Sequence, residues 1–447
     1  MITDALRRRA TELGVQLSYE DVDQVVHDAD PEVVARVVEI LDGGAGTTPS
    51  LPHVHLDPRR PVPIAEAFGP ATDAELVVDG SPTSVTITDG TVVLPDGLPL
   101  GCHTLVVDGR NGAAESLIVV APPSMPGGES TDRTSSLFAP AYALWDDDRP
   151  LPSFGLLQRL AHHAASAGVD TIATLPLYAT FLDEPFDPSP YSPISRLHWN
   201  EVFLDDDGLP DEPVPDQGEN VEWRELGARR RRQLITAAVD ADDDLLATLA
   251  RFTAAHPDVG SYARFMAARE SSGDAVVERS HVLGQFLADQ QLAALAADDS
   301  AAALSLDLPI GSHPDGWETW AHPNLFADAM SVGAPPDTFF TEGQNWGFPP
   351  QLPAAMNASG YELWRQMIAR AGRHASMLRI DHVMAVHRLW WVPTGQSADR
   401  GVYVTYPHQE LLAVIAASAA AAGLTVVGEN LGTVPPEVDR ALTDWKM

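Results

Sequence analysis

Two acidic residues in this 447-residue chain each stand at the end of a short apolar run. The first is Asp381, in Met377-Leu378-Arg379-Ile380-Asp381-His382. On an extended strand, residues two apart share a face, so Arg379 and Asp381 should point the same way. A neighbouring guanidinium keeps a carboxylate ionised, as a nucleophile requires. Arg–Asp pairs at strand ends are more often structural than catalytic, so this pair alone assigns no role. The second is Glu429, in Thr425-Val426-Val427-Gly428-Glu429-Asn430-Leu431-Gly432. About one strand–helix unit separates the two, which places them at the ends of neighbouring strands. Two such carboxylates suit a retaining glycosidic reaction, which needs them about 5–5.5 Å apart. Asp381 would attack the anomeric carbon. Glu429 would protonate the leaving oxygen and then deprotonate the incoming acceptor.

Two loops add groups that fit a sugar. Pro190-Tyr191-Ser192-Pro193-Ile194-Ser195 runs straight into Arg196-Leu197-His198-Trp199-Asn200. Thr341-Glu342-Gly343-Gln344-Asn345-Trp346-Gly347-Phe348-Pro349-Pro350 is read as a Gly/Pro-rich loop before the fourth strand. Aromatic rings pack on the C–H faces of a pyranose, and amides bind its hydroxyls.

These groups need a scaffold that gathers strand ends. The candidate strands are 138–144, 170–177, 303–309, 377–381 and 425–428, with helical patterns between them. Such alternation implies parallel strands with right-handed crossovers. Polar residues gathered just past the strand C-termini are what a (β/α) barrel shows. The reading from this pattern is an α/β chain whose parallel strands are arranged as in a (β/α) barrel. A helical insertion spans 205–300; it opens with the acidic Asp205–Asp207 and contains Arg229–Arg232, read as a solvated helix face. Residues 1–50 form a helical segment in which Asp30 caps a helix, Pro31 opens it, and Gly43 and Gly44 end it. Residues 50–63 read as a Pro-rich linker. Residues 64–125 carry Asp-Gly pairs at 79–80, 89–90, 96–97 and 108–109, the hairpin signals of a small β-sandwich accessory domain.

Composition narrows the partners. The formal net charge of −35 repels nucleic acid and anionic membranes, while a neutral sugar polymer is compatible with it. Lys446 is the sole lysine, a bias that GC-rich coding and adaptation to high salt would both produce. Cys102 is the only cysteine, so no intrachain disulfide can form and a reducing, cytoplasmic setting is expected. Residues 1–10 lack the apolar run of a signal peptide. The Ala-rich run 411–427 reads as a buried helix followed by a strand rather than a membrane span. No zinc-type spacing or calcium loop occurs, and no cofactor is expected.

PYSPISRLHWN, SLDLPIG, EGQNWGFPP, MLRIDH and GENLG occur in that order. Across residues 135–447 the chain resembles glycoside hydrolase family 77, the 4-α-glucanotransferases or amylomaltases. The resemblance implies an α-amylase-related, TIM-type (β/α)8 barrel over 135–447, of which about five of eight strands are present, acting on maltooligosaccharides and α-1,4-glucans. It also implies Asp381 as nucleophile and Glu429 as acid/base. Arg379 corresponds to the arginine that accompanies the nucleophile, and His382 to the histidine that follows it. Tyr191, Asp307 and Trp346 correspond to residues lining the donor sugar site, and Asn345 belongs to the same sugar-binding loop. The N-terminal part resembles, more loosely, the extension of actinobacterial members. Two departures stand out. Asn430 replaces the usual aspartate after the acid/base, and Ala385 stands where glycine is common. The family's third carboxylate, in a later His-Asp motif, has no counterpart before Met447. The expectation is therefore a C-terminally truncated chain, poorly stable and nearly inactive alone. An α-amylase-type hydrolase and an inactive glucan-binding fragment are the competing readings.

Overall fold

The computed structural model describes the chain except residues 1, 22–24, 44–53, 58, 61, 64–72, 79, 110–111, 131–132, 148–149, 216–219 and 432–433. Gly44, Asp79, Gly432 and parts of the 50–63 and 205–300 segments lie outside the described residues. The chain is mixed α/β and divides into two compact units. One comprises Thr131–Pro323 with Arg373–Asp381. The other comprises Met1–Ser130, Asn324–Gly372 and His382–Met447.

The first unit is built on four parallel strands, Ser136–Phe138, Thr171–Ala173, Ala303–Leu308 and Met377–Ile380, adjacent in that order. Leu304, Leu306, Leu308, Leu378 and Ile380 are buried. The intervening Ser305, Asp307, Arg379 and Asp381 fall on the opposite face, by the two-residue period of a strand. Register sets Asp307 directly beside Arg379. Helix Phe154–Ser166 joins the first two strands. Ser153 caps it by accepting from the Leu156 amide at 3.2 Å, and Phe154, Leu157, Ala161 and Ala164 form its buried stripe.

Between the second and third strands run four helices: Trp223–Val239, Asp243–Ala255, Pro257–Ser271 and Ala275–Ala296. Asp242 and Asp274 cap the second and fourth, and Pro257 opens the third. The arginine run on the first of them corrects the expectation of a solvated face. Arg229 and Arg230 are buried, at 3% and 4% exposure. Arg229 forks onto Asp206 (2.9 and 2.6 Å), and Arg230 reaches the Leu204 carbonyl. Arg231 pairs with Glu270 and Arg232 with Glu212. The acidic loop folds over the helix, because buried guanidiniums need carboxylate partners that the loop supplies. Sequence spacing does not show that pairing.

In the second unit, helices Asp4–Glu12 and Pro31–Gly43 flank a hairpin, Ser18–Glu20 with Val26–Asp28, that the all-helical reading of this segment did not contain. Tyr19 explains it: its ring stacks on His27 at 5.1 Å and meets Trp390 edge-on at 4.8 Å. The helix starts as read, with Asp30 accepting from the Glu32 amide at 2.8 Å. A five-stranded and a three-stranded sheet follow, sharing the buried residues Val62, Leu76, Val92, Leu105, Val107 and Ile118. Two pieces of the 50–63 stretch, Val54–His55 and Val62–Pro63, are strands of these sheets rather than linker. At Asp89-Gly90 both φ angles are positive (48° and 73°), as a two-residue hairpin turn requires.

A further antiparallel sheet joins Gln344–Asn345, Met330–Ala334, Arg388–Pro393 and Val402–Thr405. It makes part of the expected 341–350 loop a strand. The apolar run of the C-terminal part splits as read. Helix His408–Ala422 ends at Gly423 (φ 68°), and strand Thr425–Gly428 delivers Glu429. Among the described residues no helix is long and apolar enough to cross a membrane, and the strands do not close into a barrel.

Candidate active site

In the first unit four of the expected residues form one chain of polar contacts. Tyr191 Oη donates to Asp307 Oδ2 at 2.8 Å. Arg379 Nη1 donates to Asp307 Oδ1 at 2.6 Å and to Asp381 Oδ1 at 3.3 Å. The register of the two strands makes this possible, since Asp307 and Arg379 are lateral neighbours and Arg379 and Asp381 share a face. Asp307 is buried, while Arg379 and Asp381 stay partly open. Burial works to lower the Arg379 pKa. Asp307 and then Asp381 outweigh it, so the guanidinium is held above its ordinary value. Burial, followed by the charge of Asp307, raises the Tyr191 phenol, which remains a donor at any physiological pH. A cation 3.3 Å from Asp381 favours its charged form.

The loop that carries Tyr191 is anchored by a pair the sequence reading missed. Arg196 and Glu318 are 1% and 0% exposed and meet through Nε and Nη2, the latter at 2.7 Å. The Arg196 amide also donates to Glu318, and Nη1 donates to the Ile310 carbonyl at 2.9 Å, beyond the Asp307 strand. His198 stacks on Tyr262 (4.1 Å) and Trp199 on Tyr178 (5.4 Å). Most of the RLHWN segment is thus a brace. Glu318 sits in a Gly-Trp-Glu-Thr-Trp stretch with no spacing signal; a charged residue amid aromatics was the only hint.

In the second unit, Glu429 Oε2 accepts from the His382 amide at 2.8 Å, and the Glu429 carbonyl accepts from the Val383 amide at 3.0 Å. His382 adopts φ 45°, ψ 62° and opens the short 3-10 turn Val383–Val386. That left-handed turn aims its amide at the carboxylate. Burial pushes the His382 imidazole down to about 4, so it is neutral at pH 7. The Trp346 ring meets it edge-on at 5.1 Å. Trp346 is held by its own amide on the Val332 carbonyl (2.9 Å) and by its indole N–H on Gln344 (3.3 Å). Asn345 Oδ1 accepts from Ser331 Oγ at 2.5 Å and from the Gly347 amide at 3.0 Å. The carbonyl of this expected sugar-binding amide is therefore engaged in shaping the turn. Asn430 reaches Asp439 at 3.4 Å. Among the described residues no three His, Cys, Asp or Glu side chains group as a metal site.

The strand that ends in an Arg-paired aspartate, beside a strand whose aspartate accepts from a tyrosine, lies in a fold shared with solved amylomaltases. The solved amylomaltase from Corynebacterium glutamicum superposes on 99% of this chain and 74% of its own, with a TM-score of 0.86 at 23% identity. The Streptococcus agalactiae amylomaltase, solved in complex with acarbose, covers 70% of this chain and 72% of its own with a TM-score of 0.61 at 22% identity. The 4-alpha-glucanotransferase family profile matches residues 144–280 and 277–447, and the chain belongs to that family. A 4-alpha-glucanotransferase of Mycobacterium tuberculosis is 30% identical over 418 residues, covering 79% of this chain. The chain spans 56% of that relative's length. One from Haemophilus influenzae is 26% identical, covering all of this chain and 74% of its own.

Proposed function

We propose that this chain supplies the donor-side chemistry of a 4-α-glucanotransferase, moving α-1,4-glucan segments between maltooligosaccharides with retention of configuration. Its parallel strands are then part of a (β/α)8 barrel. Asp381 Oδ attacks the anomeric carbon of the donor as Glu429 gives its proton to the departing glycosidic oxygen. This yields a glycosyl-Asp381 ester and a free shortened glucan. Glu429, now a carboxylate, takes the proton from an acceptor hydroxyl, whose oxygen displaces Asp381 and restores the α-1,4 bond. Arg379 keeps Asp381 charged, and Tyr191 and Asp307 hold the donor sugar. Trp346 stacks on it, and neutral His382 and the Asn345 amide bind its hydroxyls. No cofactor enters, and a cytoplasmic location fits a sequence whose single cysteine, Cys102, can form no intrachain disulfide.

The observation that carries this reading is the Tyr191–Asp307–Arg379–Asp381 chain of contacts, which sets a guanidinium 3.3 Å from one carboxylate at a strand end. The continuity of the backbone supports Glu429 as its partner: the residue after Asp381 donates its amide to that carboxylate. The test is disproportionation of maltotriose by a polypeptide carrying residues 1–447, read as glucose plus longer glucans. Asp381→Asn should remove it by a factor of about 10⁴ or more and abolish the covalent glycosyl adduct, while acarbose still binds. Glucose with no longer products would favour a hydrolase, and full activity in Asp381→Asn would end the proposal.

A further inference from the structure

In the first unit, the loop that carries Tyr191 and the loop that leaves the Asp307 strand are joined by two backbone hydrogen bonds. The His313 amide donates to the Pro193 carbonyl and the Trp317 amide to the Ile194 carbonyl, both at 2.8 Å. A Cβ on Gly316 would lie 2.5 Å from the Ile194 oxygen, so a glycine is needed for the two loops to run this close. Pro193 and Ile194 stand just after Tyr191, and His313 just after the end of the Asp307 strand. The seam between them therefore governs where the Tyr191 phenol meets the Asp307 carboxylate.

The His313 side chain closes this seam. Its Nδ1 accepts from the Asp315 amide at 3.0 Å, and its carbonyl accepts from the Gly316 amide at 2.8 Å, which together tie the 313–316 turn. Its ring meets the Phe181 ring edge-on at 4.9 Å. Phe181 is fully buried, with the Arg269 guanidinium over its ring at 4.2 Å, and its carbonyl accepts from the Asp187 amide at 2.9 Å. One imidazole thus touches both the turn after the Asp307 strand and the chain that leads into Tyr191. An Nδ1 that accepts carries no proton, so the ring is the neutral Nε2–H form. Three charged groups act on it. Asp315 of its own turn and Asp187 of the Tyr191 loop favour the imidazolium, and Arg269 of the third insertion helix opposes it. Burial outweighs the two carboxylates and holds the ring below its ordinary value of 6.5.

We propose that His313 is a positioning residue for donor-sugar binding, a role that rests on reading Tyr191 and Asp307 as donor-site residues. The neutral imidazole holds the 313–316 turn against the Tyr191 loop and so fixes the phenol on Asp307. A proton on Nδ1 sets two donors, Nδ1–H and the Asp315 amide, against each other. The turn then opens, Tyr191 loses its place, and donor binding weakens in acid.

Calorimetric titration of the full chain with acarbose, from about pH 8 to about pH 5, tests this beside amide exchange of residues 187–196 in the sugar-free chain. In the wild type, affinity and exchange protection should both fall roughly 2–10-fold, the worth of one hydrogen bond, as pH drops below 6.5. His313→Asn puts an uncharged acceptor where Nδ1 stands, so it should match the wild type at neutral pH and lack this fall. His313→Ala should show the weakened affinity and faster exchange at every pH. Combined with Tyr191→Phe it should weaken acarbose little further, because it acts through that phenol. If His313→Ala does not fold, the comparison of wild type with His313→Asn decides. The same pH dependence in wild type and His313→Asn, unchanged exchange in His313→Ala, or additive losses with Tyr191→Phe would overturn the proposal. A wild type that binds no acarbose but shows the expected exchange pattern would strike the donor-site reading and leave the hold of His313 on the loop supported.

Discussion

Replacing Glu318 with alanine should destabilise the first unit severely, and the size of the effect follows from burial. Glu318 accepts from the Arg196 amide, from Nε and from Nη2, with both side chains at 1% exposure or less. Truncation leaves a guanidinium in the core with only the Pro309 and Ile310 carbonyls as acceptors. Removing one member of a buried ion pair costs about 3–5 kcal/mol. The unit has roughly 200 residues, for which each kcal/mol moves Tm by about 2–4 °C. The expected fall in Tm is therefore about 6–20 °C, read by scanning calorimetry or tryptophan fluorescence. Arg196→Met with Glu318→Leu should recover part of it, because the pair's own desolvation cost disappears with both charges. Recovery stays incomplete because two loop carbonyls lose their donor. A Tm change under about 2 °C, or a double variant no better than Glu318→Ala, would refute the view that this pair braces the Tyr191 loop.

Tyr191→Phe removes a hydrogen bond donated to a buried carboxylate, a loss of about 1.5–3 kcal/mol. It should lower Tm by about 3–12 °C and, in the protein that stays folded, lower kcat/KM for maltotriose. His382 is neutral in the folded chain down to about pH 4, against an ordinary value of 6.5. The unfolded chain therefore binds the extra proton first, and stability contributed at neutral pH is lost as pH falls from about 6.5 to about 4. Urea midpoints across that range should lose this component in His382→Gln. A Cβ on Gly333 would lie 2.0 Å from the Gln344 carbonyl oxygen. Gly333→Ala should therefore break the pairing that positions Trp346, raising KM for maltotriose and changing indole fluorescence.

Four strands could be located from local pattern alone, because apolar runs ending in polar residues and separated by helical periodicity are short-range signals. The first was misplaced, since the strand is Ser136–Phe138 and Ala141–Ala143 of the expected 138–144 run form a 3-10 turn. Asp381, Glu429 and the donor-side residues were marked by motif order, and the Arg379–Asp381 relation by a two-residue spacing. Other features needed distant partners. The Tyr19 hairpin depends on Trp390, and the sheet holding Gln344–Asn345 is assembled from four separated stretches. Arg229–Arg232 looks the same in sequence whether it faces water or a folded acidic loop. Only the tertiary structure decides that Asp206, Glu212 and Glu270 close over it, or that Glu318 rather than solvent receives Arg196. The physical reason is common to all of these. Periodicity reports which face of an element is apolar, whereas a buried charge is settled by whichever opposite charge the fold brings within about 3 Å.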